Sequence, residues 1–197
     1  SVVFITHKIA EALNVCDRVA VLRKGRLAGV FSRDTGFSAD EIRQAMFGSA
    51  EAGEKLSKSI ASYSTASLQT REVLKVVNLT VLNDYGGVAV DGLSLSVGRG
   101  MVHAVVGIAG NGQKELCEGI VGLRKAVSGR IILDGEDVTK VAPAKRVLKG
   151  LIYVPEDPFR DGLATELTVA ENLTLFSLNR LLTEDIEETV KSMGIYP

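Results

Sequence analysis

The 197-residue chain has no tryptophan, and aromatic residues make up only 5% of it. Any core must therefore be built mostly from aliphatic side chains. Cysteine is almost as scarce: Cys16 and Cys117 are the two, they lie far apart, and neither belongs to a C-x-x-C pair. That excludes the common thiol metal and redox motifs, and it reads as two reduced, buried thiols. Charge of one sign is lacking too, since 23 basic against 24 acidic residues leave a net charge of -1. Such a balance gives no electrostatic footing for nucleic acid or a membrane surface. No apolar run approaches the ~18 residues needed to span a bilayer. The longest candidate, Met101 to Gly110, is broken by His103 and glycines. A membrane role would have to come from docking onto separate subunits, without insertion.

What is present is the composition of a globular α/β chain, with 46% hydrophobic and 24% charged residues. The chain opens without Met on Ser1-Val2-Val3-Phe4-Ile5, which reads as a buried strand already under way and raises the expectation of a piece cut from a longer protein. Ile9, Leu13 and Cys16 have helical spacing. Arg18 to Gly29 reads as a hairpin turning at Lys24-Gly25. Ser38-Ala39-Asp40-Glu41 is a capping box that opens a helix ending near Gly48. From Ser49 to Arg71 the sequence turns to Ser, Ala, Thr, Glu and Lys with little apolar periodicity, as a linker does. A second unit starts near Glu72. Strands are expected at Val73–Leu82, Gly92–Val97, Met101–Val106, Arg130–Leu133 and Leu151–Val154, with helices over about 113–121 and 144–149. Thr168-Val169-Ala170-Glu171 is a second capping box, and Thr183 is expected to cap a last helix.

One of these strands, Met101–Val106, runs into Gly107-Ile108-Ala109-Gly110-Asn111-Gly112 and then a helix. A helix N-terminus leaves backbone N–H groups unpaired and its dipole favours anions, while glycines let the backbone close on phosphate oxygens. Against the pattern G-x-x-x-x-G-K-[ST], Gly107 and Gly112 hold the glycine places. Gln113 stands where the lysine belongs and Lys114 where the Mg²⁺-binding hydroxyl belongs. Gln113 donates hydrogen bonds but brings no charge; Lys114 repels Mg²⁺ unless it points away. Two alternatives stand beside a phosphate loop. One is a strand-to-helix turn that binds nothing. The other is a dinucleotide fold, with Asp134 gripping a ribose; but its third glycine would fall on Glu115, a carboxylate in a close-packed place.

Neighbouring segments carry a resemblance. Gly107 to Leu116 resembles the second-domain phosphate loop of ABC importers for sugars and nucleosides, in which two ATPase domains share one chain and this degenerate form, glutamine included, is typical. Tyr153-Val154-Pro155-Glu156-Asp157, then Arg160-Asp161-Gly162-Leu163, is similar to that family's Y-V-P-E-D-R-x-x-x-G-L segment, with Pro158 and Phe159 as a departure. Leu167 to Leu173 matches its L-T-V-A-E-N-L helix start. Ile5-Thr6-His7-Lys8, Glu11 and Asp17 to Arg26 resemble the switch-histidine segment that ends the first ATPase domain.

The resemblance implies an α/β P-loop NTPase of the ABC ATPase type with an antiparallel β subdomain, incomplete here. Residues 1–48 would end a first ATPase domain, 49–71 would link, and 72–197 would begin a second. It implies ATP and Mg²⁺ as cofactors. It gives His7 a catalytic role at the γ-phosphate and places Glu156 at the Q-loop position. Nucleotide contacts fall to Tyr85, stacked on adenine, and to Gly107, Gly110, Asn111, Gly112, Gln113, Lys114 and Glu115. Read without it, His7 is equally a capping or buried histidine, Tyr85 an exposed turn residue and His103 a packed strand residue. The implied partners are membrane permease subunits and, indirectly, a solute-binding protein, at the cytoplasmic face of the plasma membrane. His7 and the Gly107 loop would belong to different sites, so these residues alone are expected not to hydrolyse ATP. A non-hydrolysing regulatory nucleotide-binding module is the alternative within the same resemblance.

Overall fold

The computed structural model describes residues 1–48 and 71–177. They fall into two compact units, divided between Ile152 and Tyr153.

The first unit holds two sheets. In one, β1 (Val2–Thr6), β6 (Val102–Val106), β2 (Arg18–Arg23) and β3 (Arg26–Ser32) lie in the order β1-β6-β2-β3. Both neighbours of β6 run parallel to it, and β3 returns antiparallel to β2. The β2–β3 connection is the expected tight turn: Lys24 and Gly25 both have positive φ, 50° and 74°, which suits the right-handed twist of a hairpin. Alternation along the strands sends Leu22 and Val105 to one face, and Val19, Val21, Ala104 and Val106 to the other. The second face is covered by α1 (Ile9–Val15) and α2 (Ala39–Phe47) through Ala12, Ile42, Ala45 and Met46. Helix α2 begins at the capping box, with Ser38 and Glu41 bonding each other's backbone N–H.

The other sheet is antiparallel throughout, in the order β5-β4-β7-β8. Its strands are β4 (Glu72–Leu82), β5 (Val88–Gly98), β7 (Ala126–Leu133) and β8 (Glu136–Asp137). It packs with Leu22 and Val105 around helix α3 (Gln113–Val121), where Leu116 and Ile120 are buried among Leu79, Val81, Val90 and Ile131. Helix α4 (Pro143–Leu148) then places Arg146 under the end of α3, where its guanidinium donates to the carbonyls of Gly119, Ile120, Thr139 and Val141.

One expectation changes. The run Leu151–Val154 is not a strand: Leu151 packs on the core, but Ile152 and Val154 are 71% and 79% exposed. An apolar run becomes a strand only where a sheet edge accepts its backbone bonds, and no described strand pairs with it. Residues 1–48 and 71–152 lie in one compact unit. Strand β6 has two edges, and both are filled by strands from the first 23 residues. Of the expected linker only Arg71 is described, and the helix expected from Thr183 lies outside the described residues.

The second unit contains α5 (Pro158–Asp161) and α6 (Val169–Ser177). Pro158 and Phe159 form a helical turn capped by Asp157, whose carboxylate accepts the Arg160 N–H. The Thr168–Glu171 box opens α6 as expected. The Asn172 side chain ties the preceding loop by bonding the N–H and carbonyl of Ala164 and the carbonyl of Leu167. Among the described residues no helix is long and apolar enough to cross a membrane.

Candidate functional site

Strand β6 is buried from His103 onward and ends at Val106; Gly107 is buried and Ile108 to Gly110 are exposed. Gly112 then caps α3 in a left-handed conformation, φ 98°. A Cβ there would collide with the Ala89 carbonyl, so both backbone and neighbour demand glycine. Gly107 is confined by space alone: a Cβ would stand 2.7 Å from the Leu22 carbonyl oxygen and 2.5 Å from Gln113 Nε2. The loop is thus closed on its buried side by backbone from β2 and β5.

Asn111 fixes it laterally. Its Oδ1 accepts the Lys24 N–H at 2.8 Å, and its carbonyl accepts the Gly25 N–H at 3.1 Å. Its Nδ2 donates to the Ile108 carbonyl at 3.0 Å. Sequence reading missed the part of Lys24 and Gly25, which lie more than eighty residues away and signalled only a hairpin turn.

The two substituted positions have defined places. Gln113 is buried, with Nε2 donating to the Ile108 carbonyl at 3.2 Å, so its amide spans the base of the loop. Lys114 extends along α3, with Nζ 3.7 Å from Glu118. That direction takes its charge one turn away from the loop. Glu115 is half-buried in the first turn of α3, where the helix dipole favours a carboxylate.

His7 follows directly on β1, whose last residue Thr6 is in register with Val106. His7 and Gly107 therefore leave neighbouring parallel strands at the same level. His7 is exposed, and the N-cap of α1 is Lys8, so neither a buried nor a capping role describes it. Around it, Thr6 donates its hydroxyl to Glu11 at 2.9 Å and Lys8 pairs with Glu11 at 3.2 Å. The Thr6 hydrogen bond, with help from Lys8, holds the Glu11 carboxyl below the usual range. Tyr85 stands in the β4–β5 turn, 97% exposed. Glu156 is exposed in the second unit. Asp134 lies in the turn between β7 and β8, paired with Arg71 at 3.1 Å, in the sheet that does not contain the loop strand. His103 is a packed strand residue, 1% exposed on β6.

A strand, a glycine loop and a helix N-terminus presented beside an exposed histidine can receive a phosphate chain. Relatives have the same character. A family model described as ABC transporter matches residues 90–197. The chain is 39% identical over 175 residues to the nucleoside import ATP-binding protein NupA of Lactococcus lactis subsp. cremoris, covering 89% of this chain and 33% of that protein. It is 35% identical over 175 residues to the glucose import ATP-binding protein TsgD13 of Haloferax volcanii, covering 89% and 30%. It is 34% identical over 196 residues to the ribose import ATP-binding protein RbsA of Geobacillus kaustophilus, covering 99% and 37%. The chain thus spans about a third of the length of the curated relatives it matches. Among solved structures it resembles a nucleotide-free ATP-binding cassette from an ABC transporter, with a TM-score of 0.50 and 25% identity, covering 63% of this chain and 55% of that one. With the loop, the mixed and antiparallel sheets and a family match over more than half its residues all agreeing, the chain belongs to the ABC transporter family.

Proposed function

We propose that the chain is an ATP-binding part of an importer ATPase that energises uptake of a simple sugar or a nucleoside. The observation that carries this is the Gly107 loop, backed by the Leu22 and Ala89 carbonyls and open at Ile108 to Gly110, where it leads into the N-terminus of α3. Backbone N–H groups of the loop and α3 receive the phosphates of ATP. Tyr85 stacks on the adenine, and Gln113 moves from the Ile108 carbonyl to donate to a phosphate oxygen. His7 serves at the γ-phosphate of the other site, that of the first ATPase domain. Mg²⁺ enters with the nucleotide; Lys114, turned toward Glu118, does not occupy the metal's place. Glu156 serves at the Q-loop position. The parent protein works at the cytoplasmic face of the plasma membrane against permease subunits, supplied by a solute-binding protein. The division into the end of one ATPase domain (1–48) and the start of another (72–197) belongs to this proposal.

Isothermal titration of the chain with ATP and, separately, NADH tests the binding. Saturable ATP binding with no NADH binding is expected; preference for NADH would refute it. The position of Asp134, away from the loop's sheet, speaks against the dinucleotide alternative.

A non-hydrolysing regulatory nucleotide module is favoured as a second reading by one observation. Neither Gln113 nor Lys114 brings a free cation to the loop. The chain alone is expected to bind ATP without turnover, and saturable phosphate release by the purified chain would overturn that. In the intact parent, turnover that persists with only this loop's site unmutated would refute the regulatory reading.

A further inference from the structure

Tyr85 presents its ring almost wholly to solvent, yet the turn beneath it is held at every step. Asn83 Oδ1 accepts the N–H groups of Tyr85 at 3.0 Å and Gly87 at 2.9 Å, and the Asn83 N–H reaches the Gly87 carbonyl at 2.8 Å. From outside the turn, Arg124 grips it twice. Nη1 donates to the Leu82 carbonyl at 3.1 Å and Nη2 to Asp84 Oδ1 at 2.7 Å.

The same guanidinium is anchored to the phosphate helix. Its Nε donates to Glu118 Oε2 at 2.8 Å, Nη2 lies 2.7 Å from that oxygen, and the Arg124 N–H donates to the Glu118 carbonyl at 3.1 Å. The other Glu118 oxygen faces Lys114 at 3.7 Å. Arg124 and Glu118 are only 18% and 15% exposed, so this pair is screened less than a surface pair. A planar fork of donors with fixed directions suits the task, and a lysine's single ammonium cannot serve three acceptors so placed. The hydrogen bond and charge of Arg124 also hold the Asp84 carboxyl below its usual range. Burial does not account for the arrangement, because the ring it steadies is not buried.

We infer that Arg124 is a positioning residue, which sets Tyr85 against the base of a nucleotide whose phosphates rest on the Gly107 loop. The inference rests on the nucleotide reading given above. Through Glu118 and Asp84, one guanidinium registers the base contact to the phosphate helix. The ligand it selects is a nucleoside triphosphate over a polyphosphate that lacks a base. Arg124 itself touches no ligand.

The test compares a non-hydrolysable ATP analogue with tripolyphosphate in calorimetric titrations of the full chain. In Arg124→Gln, analogue affinity is expected to fall about tenfold, toward the low end of what a base–aromatic stack contributes. Tripolyphosphate affinity should stay within about twofold. Asp84→Asn, at an exposed position, should weaken the analogue in the same selective way. Arg124→Lys should recover part of the loss. In a Tyr85→Ala background, Arg124→Gln should add nothing further. A parallel fall for both ligands would mean that Arg124 only braces the fold. An unchanged analogue affinity, or additive effects with Tyr85→Ala, would equally overturn the inference. If the parent chain binds tripolyphosphate as tightly as the analogue, the Tyr85 contact is absent and the inference falls with it. If it binds neither, the nucleotide reading itself fails.

Discussion

Lowering the pH should strike this protein first at His103, before its carboxylates. His103 lies on β6 with 1% of its surface exposed, in register with Val3 on one side and Arg18 on the other. Burial, with the Arg18 charge adding to it, pushes its pKa down from 6.5 to about 4. The folded chain therefore binds this proton less readily than the unfolded chain. Above the unfolded value both states are neutral and the stability is fully present. As pH falls from 6.5 toward 4 the unfolded state gains a proton that the native state refuses, and stability drops by up to about 1.4 kcal/mol per pH unit. Between pH 7 and pH 5 the loss comes to about 1.8 kcal/mol, with a limit of about 3.4 kcal/mol below pH 4.

That window is separable from the carboxylates. Glu11, Asp84, Asp137 and Glu171 are each held below their ordinary values by hydrogen bonds from Thr6, Arg124, Thr139 and Thr168 respectively. A depressed carboxylate stabilises at pH above its unfolded value and loses that contribution only below it, near pH 4 and lower. Urea unfolding at pH 7, 6 and 5, for the parent chain and for His103→Gln, isolates the effect. The parent should lose about 1.8 kcal/mol more than the variant across that range. Equal losses in the two proteins would refute the reasoning, since His103 would then titrate alike in both states.

Gly112→Ala should abolish binding of the ATP analogue and lower stability by about 2 kcal/mol or more in a urea melt, because the left-handed backbone and the Ala89 carbonyl both oppose a Cβ. Arg146→Met should cost about 3 kcal/mol in the same measurement, since it leaves the carbonyls of Gly119, Ile120, Thr139 and Val141 without their donor. Removing residues 1–48 should leave β6 without either sheet neighbour, so its amides should exchange faster with solvent than in the full chain. Unchanged protection of 102–106 would instead show that the later residues fold as an independent domain.

Much of the fold was legible because it is local. Periodicity, the two capping boxes and the Lys24-Gly25 turn each depend on residues within a few places of one another, and each stands as expected. Leu151–Val154 was misread for the complementary reason: strandness depends on a partner edge, which apolar composition does not reveal. The loop was legible as a glycine-rich strand-to-helix turn through Gly107, Gly110 and Gly112. The direction of Lys114 was not, because it depends on Glu118 one turn along the helix and on no motif. Arg124 was overlooked altogether, since its partners Leu82, Asp84 and Glu118 converge only once β4 and α3 are packed.

The glycines of the loop are alike in sequence and unlike in cause. Gly107 is backed by the Leu22 carbonyl and Gln113, and Gly112 by the Ala89 carbonyl; both would be required by packing even if no ligand ever bound. Gly110 also has positive φ, 83°, but nothing lies within 4 Å of where its Cβ would be. Its left-handed backbone lets the chain reverse between Ile108 and Asn111, which are themselves joined by the Asn111 N–H and side chain to the Ile108 carbonyl. The space it leaves empty is on the solvent side of the loop, where an anion would come to rest against exposed backbone. Packing thus accounts for Gly107 and Gly112, and the backbone turn between Ile108 and Asn111 accounts for Gly110.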